Sequence, residues 1–255
     1  MLQGRFLDLM LYRAVAELKT EASRNYLGIV WWFLEPLLYL GVFYVVFALG
    51  FRRGGDGFVP FLLCGLVAWK WFDSTVRTSC NSITMNAGLI GQVYFPKFLL
   101  PASVVLTNTL KFGIILSIFI LFLSVSGYPP GTAWSWLPAV VMVELLLTAA
   151  VALLAAALIP LLPDLSYVIN YGMTMLFFMS GIFFDVEHMA PEVQGWMKLN
   201  PVVPIVTAYR SILLANEPPA LTELLPVVVL SAVLLLVVWR IYARFDRLYP
   251  KVLGV

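Results

Sequence analysis

Three charged residues in one apolar segment have the spacing to do chemistry together. Lys70, Asp73 and Arg77 follow one another at intervals of three and four, which places them on one face of a helix with the carboxylate between two cations. Such a face could line a polar path for an anionic substrate such as a lipid-linked phosphate. It could equally be an internal ion ladder that locks helices together, and the spacing leaves both readings open.

A second candidate set is a stripe of aromatic side chains with one carboxylate near its end. Sugar rings present apolar C–H faces that stack on aromatic planes, so such a stripe could let a glycan slide without holding it. Ordinary packing, or the aromatic belt that membrane proteins place at the lipid interface, explains the same pattern. The members recur at spacings of three and four along one helical face: Trp32, Glu35, Tyr39, Phe43 and Phe47.

The composition indicates that these residues lie in a membrane. Of 255 residues, 62% are hydrophobic and only 12% are charged, and the mean hydropathy is +0.93, far above that of a soluble domain. A charge at bilayer depth costs roughly 2.5–3.5 kcal/mol on the insertion scale, so the charged face should point into a helix bundle or into water. The net charge of +2, without a long basic run, gives no reason to expect a nucleic-acid partner.

Several catalytic and metal-binding motifs are missing from the sequence. There is no GxxxxGK[ST] phosphate loop, and a single histidine, His188, excludes HExxH zinc chemistry. Cys64 and Cys80 lie sixteen residues apart on one predicted helix, a separation of ~24 Å that prevents a disulfide. We therefore predict a chain that is not an enzyme and holds no cofactor or metal. Energy for transport would come from another polypeptide or from an ion gradient.

The predicted fold is an all-α membrane protein with six transmembrane helices. Segments of this length and hydropathy can each cross the hydrocarbon core. The predicted spans are residues 33–51, 58–80, 104–126, 134–158, 167–184 and 224–243. Basic residues cluster before the first span, after the last and in the loop that holds Lys97, so the positive-inside rule predicts cytoplasmic N and C termini.

Residues 1–30 are predicted to form an amphipathic helix at the membrane surface. Met10, Val15 and Leu18 continue an apolar helical pattern that starts at Phe6, and charged residues such as Glu17 lie between them. Such a helix could contact a partner protein or could simply anchor the chain at the membrane. Periodicity alone leaves both possibilities open.

The stretch LNPVVPIVTAYRSILL, residues 199–214, is apolar but too short to cross a membrane. Its sixteen residues would reach ~24 Å as a helix, against a hydrocarbon core of ~30 Å. We predict that residues 187–216 form two short helices on the outer side that re-enter the membrane and return. This arrangement would place Arg210 at a channel mouth, near lipid phosphates or the acidic loop. The alternative is a pair of helices lying flat on the outer surface.

Four stretches, in order along the chain, resemble a known family. They are RNYLGIVWWFLEPLLYLGVFYVVF, FLLCGLVAWKWF, NAGLIGQVYFPKFLLP and MSGIFFDVEHMAPEVQGWMKLNPVVPIVTAYRSILL, which cover roughly residues 24–216. They resemble the membrane subunits of ABC transporters that export polysaccharides such as O-antigen, capsule or teichoic acid. The resemblance implies a complex of two membrane subunits, hence a second copy of this chain, with two ATP-binding subunits that hold the ATP and Mg. It also implies a location in the bacterial inner membrane.

The resemblance assigns roles to further residues. Residues 86–101 match the coupling helix that fits a groove on the ATPase, and the short outer helices match elements that cap the channel. The implied outer-gate residues are Asn200, Pro201, Tyr209 and Arg210. The implied ATPase contacts are Leu89, Ile90, Tyr94, Phe95, Pro96 and Lys97.

The function implied by the resemblance is export of an undecaprenyl-diphosphate-linked O-antigen polysaccharide. A capsular polysaccharide or a teichoic acid is the alternative substrate within the same class. The rival from another class is an ion-coupled transporter or a membrane-embedded lipid-modifying enzyme, which would need carboxylates within the membrane. Only Glu35, Asp73 and Glu144 are candidates for that role.

Overall fold

The computed structural model describes residues 2–24, 28, 30–46 and 57–254, without the side chains of residues 2–9, 22, 24 and 33. All regular structure in these ranges is helical, as the sequence predicts. Phe47 and the end of the first predicted span, residues 47–51, lie outside the described residues. The α-helices are α1 (Leu2–Arg24), α2 (Val30–Phe43), α3 (Phe58–Cys80), α4 (Ala87–Gln92), α5 (Leu99–Val125), α6 (Leu137–Leu158), α7 (Leu165–Phe178), α8 (Pro191–Met197), α9 (Val202–Arg210), α10 (Leu221–Phe245) and α11 (Tyr249–Val252).

Glycines in the left-handed region mark three helix boundaries. Gly57 (φ 95°) precedes α3, Gly127 (φ 93°) follows α5, and Gly181 (φ 65°) follows α7. A residue with a Cβ is strained at such φ values, so glycine allows the chain to leave the helical path there. The turn before Gly181 explains why α7 ends at Phe178, earlier than the predicted limit of 184.

Helix α3 lies at the centre of the bundle. It packs against α2, α5, α6, α7 and α9, and 16 of its 23 residues are buried. Neighbouring helices therefore surround most of its surface, and its charged side chains Lys70 and Arg77 contact α2 and α7. This placement agrees with the high cost of a charge that faces lipid.

Three helical segments in the described ranges are long and apolar enough to cross a membrane on their own, namely 99–125, 132–158 and 221–245. Helix α3 has a similar length but carries three charges. The apolar helices over residues 30–46, 165–178 and 202–215 are shorter, below the ~20 residues that a simple span needs. The chain has the character of a multi-pass membrane protein.

The two short helices between α7 and α10 differ sharply in burial. None of the residues of α8 is buried, and Trp196 is 72% exposed. By contrast, α9 buries six of its nine residues, mainly against α3 and α6. A π-helical turn, Ser211–Ala215, continues α9. The second short helix is thus part of the bundle, whereas the first lies on its surface.

Candidate functional site

An aromatic cavity lies between α2, α3 and α7. It has a volume of about 250 Å³ and brings together five residues of the two predicted channel sets. Three more aromatic side chains complete the wall. The lining side chains used below are Tyr39, Phe43, Trp69, Lys70, Asp73, Arg77, Thr174, Phe177 and Phe178.

The aromatic side of this cavity is a packed cluster centred on Phe177. Its ring centroid lies 6.0 Å from that of Tyr39, 5.6 Å from that of Trp69 and 6.1 Å from that of Phe43. The rings of Tyr39 and Phe43 are stacked, at 6.3 Å between centroids. Aromatic pairs at such distances stabilise each other by roughly 0.5–1.5 kcal/mol beyond the area they bury. The wall is consequently a continuous aromatic surface.

Sequence reasoning overlooked the contribution of α7. Thr174, Phe177 and Phe178 occur at i, i+3 and i+4, which is the spacing of one helical face. That signal was present in the sequence. It carried little weight because aromatic residues are frequent throughout the chain.

The polar end of the cavity is formed by Arg77 and its partners. Its Nε donates to Asp73 Oδ1 at 2.7 Å, its Nη1 to Asn170 Oδ1 at 2.8 Å, and its Nη2 to Thr174 Oγ1 at 3.3 Å. The guanidinium thus joins α3 to α7. These side chains line a cavity and also link helices through hydrogen bonds.

Lys70 pairs with a different carboxylate from the one expected. Its ammonium forms an ion pair with Glu35 on α2, while Asp73 pairs with Arg77. Trp32 and Glu35 line a second cavity, which faces α5, together with Lys111. The described part of the aromatic stripe is therefore divided between two cavities that both touch Lys70.

The segment that contains α9 is tied to the bundle by Asn200 and Arg210. Asn200 Nδ2 donates to Met179 O (3.2 Å) and Ser180 Oγ (3.0 Å), and its Oδ1 accepts from the N–H of Val202 at 3.0 Å. This last bond caps the first turn of α9. Pro201, whose fixed φ suits a helix start, lies between Asn200 and Val202.

Arg210 points inward onto backbone carbonyls. Its guanidinium donates to Gly181 O (2.7 Å), Ile182 O (2.8 Å) and Phe61 O (3.3 Å), and its Cζ lies 3.4 Å from the ring centroid of Phe61. The carbonyls of Gly181 and Ile182 follow the end of α7, and that of Phe61 belongs to α3. The Arg210 guanidinium therefore joins α9 to both of these segments.

Tyr209 makes the deepest contact of this segment. Its hydroxyl donates to Glu144 Oε2 at 2.6 Å, and both residues are 2% exposed. A buried carboxyl needs such a partner, because an unsatisfied polar group costs about 1–3 kcal/mol. The bond fixes α9 to α6.

The predicted coupling segment forms a short helix followed by an extended turn. Leu89 and Tyr94 are 43% and 72% exposed, whereas Ile90 and Lys97 are 4% and 1% exposed. Phe95 and Pro96 are partly exposed. Helix α1 contacts this segment through Arg13, whose Nη2 donates to Asn86 Oδ1 at 2.8 Å. The predicted ATPase-contact set therefore contains both surface side chains and side chains inside the fold.

Asp246, which sequence reasoning did not single out, holds the second half of this segment. Its carboxylate accepts from the N–H of Lys97 (2.8 Å) and from the hydroxyl of Tyr94 (3.3 Å), and it lies 3.6 Å from the Lys97 ammonium. The same ammonium lies 4.4 Å from the ring centroid of Tyr94. Nearby, burial and the charge of Asp246 raise the pKa of Tyr249 above its ordinary range, so this phenol stays a donor to Ala157 O at 3.0 Å.

A bundle of long apolar helices with an aromatic cavity between α2, α3 and α7 defines a multi-pass membrane protein. The sequence matches the family described as "ABC-2 type transporter" over residues 14–214. The chain belongs to this family. It is a permease subunit and a multi-pass protein of the bacterial inner membrane.

Individual relatives align over most of the chain. The "O-antigen export system permease protein RfbA" of Myxococcus xanthus is 28% identical over 232 residues, which cover 90% of this chain and 88% of that protein. A protein of the same name from Klebsiella pneumoniae is 28% identical over 211 residues, or 82% of this chain and 81% of the relative. The "Inner membrane transport permease YadH" of Escherichia coli K12 is 24% identical over 227 residues, covering 83% and 87%.

Proposed function

We propose that this chain is the membrane subunit of an ATP-driven exporter that moves lipid-linked O-antigen polysaccharide across the inner membrane. The observation that carries the proposal is the aromatic cavity between α2, α3 and α7, with Arg77 and Asp73 at its polar end. Two relatives named as O-antigen export permeases support the choice of polymer. Stacking on aromatic planes tolerates different sugars, so the polymer could advance without a fixed register.

The proposed topology has six spans with both termini in the cytoplasm. Helices α2, α3, α5, α6, α7 and α10 would cross, with the shorter ones completed by adjoining residues. Residues 187–216 would form the outer cap. The burial of α9 against α3 and α6 favours insertion of its segment over a flat position on the surface.

A second copy of the chain would close the cavity. Helix α7 buries a single residue, Met173, and leaves a row of large side chains exposed. A helix that is apolar all round needs a neighbour or lipid on its free face. The row is Tyr167, Val168, Tyr171, Met175 and Phe178. Two ATP-binding subunits, which would hold ATP and Mg, would dock at α4 and the turn that follows it.

The ion-coupled rival is disfavoured by the state of the carboxylates. Glu35 pairs with Lys70, Asp73 with Arg77, and Glu144 accepts from Tyr209. A proton relay needs acids that exchange protons along a path. These three are each engaged with a different partner.

The test of the proposal combines assembly with export. Purification of the chain together with an ATP-binding subunit is expected to give a stable complex. Within it, Tyr39→Ala with Phe43→Ala should lower the amount of polymer that reaches the cell surface at least tenfold while basal ATP hydrolysis survives. Trp239→Ala, an exposed aromatic on α10, is the matched control and should export normally. Unchanged export in the double variant, or transport by the chain alone against a proton gradient, would reject the proposal.

A further inference from the structure

The last part of the chain carries four exposed cations without a partner. Most basic side chains in the described ranges are engaged, for example Lys97 with Asp246 and Arg210 with backbone carbonyls. Four others, at the end of α10 and in the segment through α11, are exposed and form no ion pair or hydrogen bond with any described residue. This basic stripe consists of Arg240, Arg244, Arg247 and Lys251.

The spacing of the basic stripe brings like charges together. Arg240 and Arg244 are four residues apart on α10. Arg247 and Lys251 are also four residues apart, across the start of α11. Residues at this spacing are neighbours on a helix surface, and like charges there destabilise the helix. Anions bound between these side chains would remove that repulsion.

The one acidic residue in this segment is committed elsewhere. Asp246 lies between Arg244 and Arg247 in the sequence. Its carboxylate accepts from the N–H of Lys97 at 2.8 Å and from the hydroxyl of Tyr94 at 3.3 Å. No other acidic residue follows the first turn of α10. The basic stripe therefore stays uncompensated, and the segment has no free carboxylate to meet an ammonium group.

The same face of α10 is apolar before the basic stripe begins. Four aliphatic side chains precede Arg240 at intervals of three or four residues, the spacing of one helical face, and they are 51–62% exposed. In a multi-pass membrane protein, such an exposed apolar face is suited to lipid chains. The four side chains are Leu225, Val229, Val233 and Leu236.

Helix length places the first cation at the level of the lipid headgroups. No charged residue stands between Glu223 and Arg240, which are ~26 Å apart at helical rise. Since the hydrocarbon core is ~30 Å thick, both residues lie near its boundaries, and the long arginine stem lets the guanidinium reach the headgroups. Trp239 is 68% exposed and lies at the same level, where tryptophan is enriched.

We propose that the basic stripe binds the phosphate groups of anionic phospholipids in the leaflet where α10 ends. A guanidinium matches a phosphate with two parallel hydrogen bonds, and basic clusters beside a membrane span attract anionic lipid. A phosphoglycerol headgroup is preferred to phosphoethanolamine, because the segment cannot satisfy an added ammonium. The occupant is lipid and not an acidic protein surface, since the cations continue the exposed apolar face of α10. The site requires only a membrane, whatever polymer is exported.

Native mass spectrometry of the purified full chain tests this site. The protein is stripped of lipid and mixed with equal amounts of phosphatidylglycerol and phosphatidylethanolamine with matched chains. Wild type should retain phosphatidylglycerol with at least tenfold preference. Each cation near an anionic surface adds roughly fivefold to binding, so Arg240→Gln with Arg244→Gln should lower the preference at least fivefold.

Matched controls separate charge at this site from charge in general. Arg240→Lys with Arg244→Lys keeps both charges and should retain most of the preference. Lys198→Gln removes an exposed cation that pairs with Glu223 at the start of α10, and it should behave as wild type does. Size-exclusion profiles establish that each variant is folded. Hydrogen–deuterium exchange at residues 240–252 should slow about threefold when phosphatidylglycerol is added to wild type.

Four results would overturn the proposal. One is equal retention of the two lipids by wild type, which marks ordinary boundary lipid. Another is an unchanged preference in the folded Arg240 and Arg244 glutamine variant, with or without loss of binding to an ATP-binding subunit; such a loss would assign the basic stripe to that protein. The third is equal thermal stabilisation by soluble glycerol 3-phosphate, which would assign it to a free phosphate ester. The fourth is unaltered exchange at residues 240–252, which would place the lipid elsewhere. None of these outcomes bears on polysaccharide export.

Discussion

Gly65 on α3 lies in close contact with Arg210, the last residue of α9. A Cβ built at this position would lie 2.9 Å from Arg210 Nη2 and 3.3 Å from the Cα of Ile182. The guanidinium has little freedom to move, because it is bonded to the carbonyls of Gly181, Ile182 and Phe61. Gly65→Ala should therefore destabilise the protein by about 1–3 kcal/mol, the usual cost of overpacking, although alanine is the better helix former.

The control for this prediction is Gly113→Ala on α5, where a Cβ would meet nothing within 4 Å. That variant should be neutral or more stable by up to ~1 kcal/mol. Thermal unfolding of both proteins in the same detergent, followed by tryptophan fluorescence, makes the comparison. Equal midpoints for the two variants would show that α9 does not need close contact with α3.

At the scale of elements, Asp246 links the end of α10 to the turn that follows α4. The N–H of Lys97 donates to its carboxylate at 2.8 Å, and a charge-assisted bond of this kind is worth about 1.5–3 kcal/mol. Asp246→Asn should weaken it and loosen the turn. Hydrogen–deuterium exchange is then expected to speed up about tenfold at the Lys97 amide and to change little within α5.

The matched control is Asp164→Asn, an exposed acid just before α7, which should leave exchange at Lys97 unaltered. If exchange there is equally slow in Asp246→Asn, packing of the Lys97 side chain alone holds the turn. In the proposed complex, the same variant should reduce polymer exported per ATP more than it reduces ATP hydrolysis. That ratio distinguishes a loss of coupling from a loss of folding.

The elements differ in how far the sequence could predict them. Long apolar runs identify α5, α6 and α10, because length and hydropathy depend only on local composition. The charge spacing on α3 correctly placed Lys70, Asp73 and Arg77 on one face. Their partners could not be predicted, since Glu35 and Asn170 are brought to that face by the packing of other helices.

The same distinction applies to the candidate site. Aromatic spacing on α2 identified Tyr39 and Phe43, which do line the aromatic cavity, but it also included Trp32, which lines the cavity that faces α5. Whether a side chain faces one neighbour or the other depends on the rotation of α2 between α3, α5 and α7. A periodic pattern fixes relative directions along one helix and carries no information on that rotation.

For the molecule as a whole, the described contacts favour an arrangement with two chemically distinct ends. One end gathers α4, the Lys97 turn, α11 and the end of α10 around Asp246. The other gathers α8, α9 and Asn216, whose Oδ1 accepts from the N–H of Ala133 at 3.1 Å. In the proposed six-span topology, the first end would be cytoplasmic and the second would be outside.

Labelling of single cysteines in intact cells with a membrane-impermeant maleimide tests this topology. Met85→Cys and Trp196→Cys replace side chains that are 83% and 72% exposed at the two ends, and the native Cys64 and Cys80 are buried, which keeps the background low. Trp196→Cys should react in cells with a permeabilised outer envelope, and Met85→Cys only after the inner membrane is opened. If both positions react before that step, they lie on the same side of the membrane, and an even number of spans separates them in place of the proposed α5, α6 and α7. In that case the Lys97 turn would lie where no ATP-binding subunit can reach it, so the six-span arrangement and the proposed ATPase docking surface would fail together.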